Sequence, residues 1–406
     1  MPLRVRDTLT ARLRTVGPTR GRPTTMYVCG PTVYDRAHVG HARTYLYFDV
    51  ARRALEAMGG RVRHVENITD FEDKITARAA ALGVPWRTLA RREMVAFRRD
   101  MDALGLRPPH VAPRASAFVP AMAALVRRLD RRRLLERRDD GWYFRGDTLP
   151  VGERNFALGL TLARHAVAEP GVEPPGADRM TPEFLVWRPQ APPLPSWPGP
   201  LGRGMPGWHL ECFVMAERHL GLPVDLHGGG LDLVFPHHFA ENQLAETFYG
   251  TPFARTFLHT AFVTGNGRKM SKSVGNLVRL RLALDDVGAD ALKWYLLTPA
   301  YHQPLPWRAV DLERARTEFH VVADRFRGAV GPGAGGSLPE GVFRDLARVV
   351  LGRVADGFRV DEALDRIRSL ADRIGRHPSG RLPRGARPRA RRALADLERL
   401  LGVRFV

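Results

Sequence analysis

The chain has 406 residues, of which 44% are apolar and 26% charged, with a formal net charge of +20 at pH 7. That length supports two or three domains around a substantial core, and the ordinary composition excludes a fibrous or disordered chain. No apolar run approaches the length of a membrane span, and the start, MPLRVRDTLTARL, lacks the apolar region of a secretory leader; a cytoplasmic location with no membrane partner is expected. The basic charge is a weak pointer to nucleic acid, because only four of the basic residues are lysines (Lys74, Lys269, Lys272, Lys293) and the uniform use of Arg reads as compositional bias. It leaves a surface that tolerates polyanions. Cys29 and Cys212 are the two cysteines. A lone structural disulfide does not suit a cytosolic chain, and two buried inert thiols are the simple alternative.

In chain order, Thr25 to Val28 is rich in β-formers and runs into Cys29-Gly30-Pro31, which predicts a strand entering a loop. Helical apolar spacing follows from His38 to Met58 and stops at Gly59-Gly60. Arg61 to Ile68 reads as the next strand, with a helix from about Glu72. Strand, helix and strand at this spacing make a βαβ unit, hence a parallel sheet of nucleotide-binding type. Pro85 to Leu104 and Ala117 to Leu135 read as amphipathic helices, and Asp70, Glu72 and Asp73 as charges at a helix N-terminus. Residues 136–205, with EPGVEPPGAD and PQAPPLPSWPGP, predict an irregular insertion and no second sheet domain. A strand at Val224 to Leu226, a helix near Pro236 and a strand at Thr256 to Val263 return the pattern to α/β, and from Ala309 the chain reads as helical. The expected organisation is a parallel-sheet domain in two halves, 1–135 and 206–308, split by the insertion and followed by a helical domain, 309–406.

Two groups of residues carry chemistry. HVGH, His38 to His41, sits where the first strand of the βαβ unit gives way to its helix, and a helix N-terminus offers N–H groups to phosphate. Far downstream, Gly265 and Gly267 lead into KMSKS, Lys269 to Ser273. His38, His41, Lys269 and Lys272 supply the donors and cations that stabilise charge on a transferring phosphoryl group, Gly40 permits close backbone approach, and Ser271 and Ser273 lie on the same loop. The second group is thiol and imidazole. His237 and Glu241 are four apart and share a helix face, and with Cys29 and Cys212 they make a zinc set of two thiolates, an imidazole and a carboxylate. His238 follows directly, so either imidazole, or neither, is the ligand.

The blocks MYVCGPTVYDRAHVGHARTYLYFDV, HVENITDFEDK, GRGMPGWHLEC, DLHGGGLDLVFPHH and GRKMSKSVGN lie in order over roughly three hundred residues and resemble bacterial cysteinyl-tRNA synthetases and their shorter relative, the mycothiol cysteine ligase. HxGH and KMSKS are the nucleotide motifs of class I aminoacyl-tRNA synthetases. The resemblance implies a Rossmann-type catalytic domain with an insertion, then a helical bundle, and ATP-dependent activation of L-cysteine with magnesium. It implies one zinc per chain at Cys29, Cys212, His237 and Glu241, holding the substrate sulfur. It places Gly30, Thr32, Thr44, Asn67 and Thr69 along the adenylate site, Trp208 in the wall of the amino-acid pocket, and Gly230 and Asp232 beside the adenosine or amino group. His209 and His227 receive no role. Phe239-Ala240 stand where many relatives carry an acidic residue and Asn, which alters the surroundings of Glu241. The chain stops soon after its helices, at ERLLGVRFV, where full-length synthetases continue into an anticodon-reading module and the mycothiol ligase ends. A monomer that charges tRNA(Cys) is the first expectation. Ligation of cysteine to a small amine such as glucosaminyl-inositol or to another non-tRNA acceptor such as a carrier protein, or an inactive paralog that binds or regulates, are the alternatives.

Overall fold

The computed structural model describes residues 2–17, 21–145, 183–265, 268–270 and 277–406, with Arg268 and Lys269 described by their backbone only. At its centre is a parallel sheet of four strands in the order Phe257–Thr260, Leu226–Gly230, Thr24–Val28, Val62–Glu66. All five residues of Thr24–Val28 are buried, as a strand covered on both faces requires. The chain leaves this strand to one side, through helix Val39–Ala57 into Val62–Glu66, and later adds Leu226–Gly230 on its other side. Strand order therefore reverses between Thr24–Val28 and Leu226–Gly230, where the loops part and leave a crevice at the carboxyl ends of the strands.

The βαβ unit forms where the sequence places it. The helix is capped by His38 and ends at Met58, and the next begins at Asp73 with Glu72 as its N-cap. Trp86–Ala103 follows, with Pro85 one position earlier than expected, at the N-cap. Asp70 is not a charge on the helix that follows it: its carboxylate accepts from Ser116 N–H (2.8 Å) and Oγ (2.6 Å) and ties down the turn at Ala115–Phe118. The helix expected to reach Leu135 stops at Arg131, and Leu135 starts a strand.

That strand corrects the larger expectation for residues 136–205. Where described, the region is an antiparallel sheet of four strands, Leu135–Arg138, Gly141–Phe144, Phe184–Pro189 and Gly204–Pro206. Its strands are short, and Pro and Gly sit at their ends, so punctuation dominates the local pattern. A fully buried Trp187 and Phe144 hold the sheet to the core. Residues 146–182, which include AEPGVEPPGAD, lie outside the described residues. The strand expected at Val224–Leu226 instead spans Leu226–Gly230: the three glycines belong to it, because a Cβ on Gly228 would sit 1.7 Å from the Leu258 carbonyl oxygen. The helix expected near Pro236 starts as a kinked turn, Val234–His238, and continues regularly over Phe239–Tyr249.

Helices Ala309–Val330, Val342–Ala355, Val360–Arg376 and Arg387–Leu401 follow, and their apolar faces join the same core cluster as helix Val39–Ala57. Among the described residues no helix is long and apolar enough to cross a membrane.

Candidate active site and metal centre

The crevice collects side chains from four separated segments. Cys29 follows the central strand and Asn67 follows Val62–Glu66; Cys212 lies in helix His209–Leu220, and Glu241 in helix Phe239–Tyr249 just after His237. Gly30 N–H donates to Asn67 Oδ1 (2.9 Å), and a Cβ at Gly30 would fall 1.5 Å from the Asn67 carbonyl oxygen, so only glycine lets these loops close. Thr32 bridges to Thr69, whose hydroxyl donates to Glu211 Oε2 (2.9 Å) and accepts from Asn67 Nδ2 (3.3 Å). Thr44 Oγ1 lies 2.7 Å from Thr260 Oγ1, and Gly230 closes its strand against Asp232. Of the residues the resemblance assigned to the adenylate site, Gly30, Thr32, Asn67 and Thr69 thus form one connected wall.

Below that wall, Cys29 Sγ and Cys212 Sγ are 3.6 Å apart, far longer than a disulfide and close to the roughly 3.8 Å between two thiolates on one tetrahedral zinc. His237 Nε2 and Glu241 Oε1 are 3.5 Å apart, and both are buried atoms with no hydrogen-bond partner. One ligand atom from each of Cys29, Cys212, His237 and Glu241 lies within 4.8 Å of all the others. A second combination, Cys29, His227, His238 and Glu241, satisfies the same distance. Hydrogen bonding separates the two. His238 Nδ1 is engaged with His259 Nε2 (2.7 Å) and His227 Nδ1 with the Tyr27 carbonyl (3.0 Å), while His227 Nε2 meets Glu241 Oε2 (2.9 Å). Both nitrogens of His238 are thus engaged, since its Nε2 lies 3.3 Å from Cys29 Sγ, and His227 supports Glu241. The unpartnered atoms of His237 and Glu241 point at the thiols, and orphaned buried polar atoms are costly unless something else satisfies them. The donor set therefore fits a metal, and His237 is the imidazole beside the thiols whose Nε2 has no hydrogen-bond partner.

Electrostatics lead the same way. Burial pushes the Cys29 thiol well above its ordinary value, with the Cys212 neighbour adding to it, and burial raises Cys212 and the Glu241 carboxyl as well. Burial holds His237 well below the usual imidazole range. Desolvated donors facing one point, with burial opposing charge on each, are what a cation converts to ligands with release of protons.

Trp208 lies flat on His237, with ring centroids 4.2 Å apart and planes inclined by 19°. His209 Nδ1 is 3.1 Å from His237 Nδ1, which leaves Nε2 for the cluster. At the other side of the crevice, His38 and His41 cap helix Val39–Ala57 reciprocally and their rings stack at 3.8 Å. Lys269 pairs by its backbone with Thr264, while Ser271, Lys272 and Ser273 lie outside the described residues.

Comparison with known proteins follows this geometry. Residues 15–317 match the family described as tRNA synthetases class I (C) catalytic domain. A cysteine–tRNA ligase of Paramagnetospirillum magneticum is 37% identical over all of this chain and 86% of its own length. The chain belongs to the cysteine–tRNA ligase family. A relative of the same name from Anaeromyxobacter dehalogenans is 38% identical over 99% of this chain and 85% of that protein. Among solved structures, methionyl-tRNA synthetase of Mycobacterium tuberculosis bound by methionyl-adenylate matches with a TM-score of 0.64 at 18% identity, over 94% of this chain and 92% of that one. A LeuRS–tRNA–LeuAMS complex of Agrobacterium radiobacter K84 matches with a TM-score of 0.66 at 13% identity, over 95% and 84%. At these identities the two structures establish the class I synthetase fold alone.

Family membership makes the chain a ligase of the aminoacyl-tRNA synthetase type. What sequence reading passed over is the support around the cluster: His227 under Glu241, His209 under His237, and the run from His238 through His259 Nδ1 to Thr8 Oγ1 (2.9 Å). A histidine within the otherwise apolar strand LHGGG is the one sequence sign of this layer.

Proposed function

We propose that the chain activates L-cysteine with ATP and transfers it to the 3′ end of tRNA(Cys). The observation that carries this reading is the fully buried donor set of Cys29, Cys212, His237 and Glu241, set in the same crevice as the His38 helix start. Zinc held there would supply a soft acceptor that favours the substrate sulfur over the hydroxyl of serine, a difference that pocket volume alone cannot read. Trp208 walls the cysteine side chain. Gly30, Thr32, Asn67 and Thr69 present backbone and hydroxyl groups to the adenylate, with Thr44, Gly40, Gly230 and Asp232 around its nucleoside. The cysteine carboxylate attacks the α-phosphorus, its bond to the β-bridging oxygen breaks, and pyrophosphate leaves with magnesium. His38, His41, Lys269 and Lys272 stabilise the charge that develops on the phosphate oxygens, assisted by Ser271 and Ser273. The tRNA hydroxyl then attacks the acyl carbon and AMP departs.

The working unit in this reading is a cytoplasmic monomer with catalytic halves at 1–135 and 206–308, an insertion at 136–205 and helices at 309–406. Cysteine-dependent exchange of pyrophosphate into ATP, with serine as control, tests the first step, and charging of total tRNA tests the second. Exchange without charging, together with amide formation on glucosaminyl-inositol, would replace tRNA by an amine acceptor. No cysteine-dependent exchange would leave only a binding role.

A further inference from the structure

Beside the crevice lies an arginine-lined trough. Helix Trp86–Ala103 forms its floor, and two cavities of about 520 and 800 Å³ lie along that helix and share Thr88 and Arg91. The larger is lined by Arg36, Arg91, Arg92, Arg99, Arg279 and Arg281, with Asp100 as its one acidic residue. The smaller adds Arg87 and Arg114 beside Trp86 and Trp197, with one acidic residue, Asp70, held by Ser116. Arg87, Arg91 and Arg99 follow the i, i+4 row of the helix, a line about 18 Å long at ~1.5 Å per residue.

Compositional bias accounts for many arginines but not for their convergence on one concavity. Some exposed arginines elsewhere pair locally, Arg314 and Arg308 with Asp311 and Arg327 with Asp324. In the trough, Asp100 is taken by Arg281 (2.8 Å), and Glu93 by Arg92 (2.8 Å) and Arg36 (3.4 Å). Among the described residues Arg91, Arg99, Arg114 and Arg279 are exposed and have no ion-pair partner. Exposed cations that face one another across a concavity repel, and a polyanion relieves that. Position adds direction. Ala37 and Arg279 line the larger cavity, and Arg279 bridges by its backbone to His38, so the trough opens at the cap of the nucleotide helix. At the far end, Trp197 is partly exposed and Arg87 lies 4.3 Å over the ring of Trp86, the mixture of ring and cation on which unpaired bases stack.

We propose that this trough carries the RNA strand of the acceptor end toward the crevice, with Arg91, Arg99 and Arg279 on its phosphates and the Trp86–Trp197 end against a base. The proposal rests on tRNA being the acceptor. Its test separates the two half-reactions in the full chain. Arg91→Glu/Arg99→Glu should lower kcat/KM for tRNA charging by tenfold or more at low salt and flatten the salt dependence of tRNA binding by about two phosphate contacts. Cysteine-dependent pyrophosphate exchange should stay within about twofold of the unaltered protein, and Arg91→Lys/Arg99→Lys should keep most of the charging activity. Unchanged charging by the Glu variant overturns the trough while leaving the acceptor intact. An equal fall in exchange and charging assigns these arginines to ATP or to folding, and also overturns it. If the unaltered protein exchanges pyrophosphate but charges no tRNA, the acceptor reading fails and the trough proposal with it.

Discussion

At the scale of single residues, the arrangement around Glu241 matters most. The Tyr27 carbonyl can only accept, so His227 Nδ1 carries a proton toward it, and His227 Nε2 and Glu241 Oε2 share one further proton across 2.9 Å. That bond fixes the carboxylate so that Oε1 faces the thiols. We expect Cys212→Ala to abolish stoichiometric zinc, and His227→Ala to weaken zinc affinity by about 10–100-fold while leaving the four ligands in place. Competition against a chromophoric chelator measures both, and equal zinc affinity in the His227 variant would remove the support role. Glu66 makes a separate prediction. Burial lifts its carboxyl to about 8 and drops its neighbour His64 to about 3, so the 3.9 Å approach of the two is a contact between neutral groups near neutral pH, not an ion pair. Between the ordinary carboxylate value and about 8, the folded chain keeps a proton that the unfolded chain has released. The Glu66 contribution to stability therefore falls as pH rises through that window, while that of His64 rises with pH up to its ordinary value. Glu66→Gln should flatten this slope and gain up to a few kcal/mol near pH ~8 relative to pH ~5, read from urea midpoints at the two pH values. A parallel shift of both midpoints would contradict it.

At the scale of elements, the last helix is joined to the catalytic half by one buried cation. Lys293, in helix Ala289–Leu296, is 3% exposed; its ammonium donates to the Gly402 carbonyl and lies 2.8 Å from Asp290. Gly402, in the left-handed region at φ 70°, ends helix Arg387–Leu401, so the cation sits at that helix's negative pole. Lys293→Met should cost about 2–4 kcal/mol, since it leaves the helix carbonyls without a buried cation and Asp290 with only the exposed Arg404. Thermal melting checks this, and an unchanged midpoint would mean that the remaining contacts, among them Arg53 on the Arg399 carbonyl and Trp294 against Phe405, dock the helix without it. The opening helix shows the same dependence on its terminus. His38 and His41 bind each other's backbone N–H, so two residues of the tetrad are also the cap. The spacing His-x-x-His was legible in sequence, but its reciprocal capping was not, because a cap depends on backbone angles that the residue types alone leave open.

For the whole molecule, the βαβ unit and the terminal helices could be read from the chain, because each rests on local periodicity. Thr24–Val28 and Val39–Ala57 fall within a residue or so of expectation for that reason. The four donor residues, spread from Cys29 to Glu241, were instead joined in one set by the resemblance to a known family. The insertion was misread because its strands are three to six residues long and bounded by Pro and Gly, and only pairing across tens of residues makes them a sheet. The three glycines of Leu226–Gly230 looked like a loop and proved to be a strand, since Gly228 meets the close approach of Leu258 and Phe48, Gly229 that of Leu233 and Gly230 that of Asp232. By itself the sequence determined which chemistries are present: two thiols, a His-x-x-x-Glu pair and two nucleotide motifs. Only the tertiary structure decided that His237 Nε2 is left without a hydrogen-bond partner beside the thiols while His238 is tied to both Cys29 and His259, that His227 holds Glu241, and that unpaired arginines from distant segments line one trough. Orientation, burial and partner choice arise from contacts between residues far apart in the chain, and no local pattern encodes them.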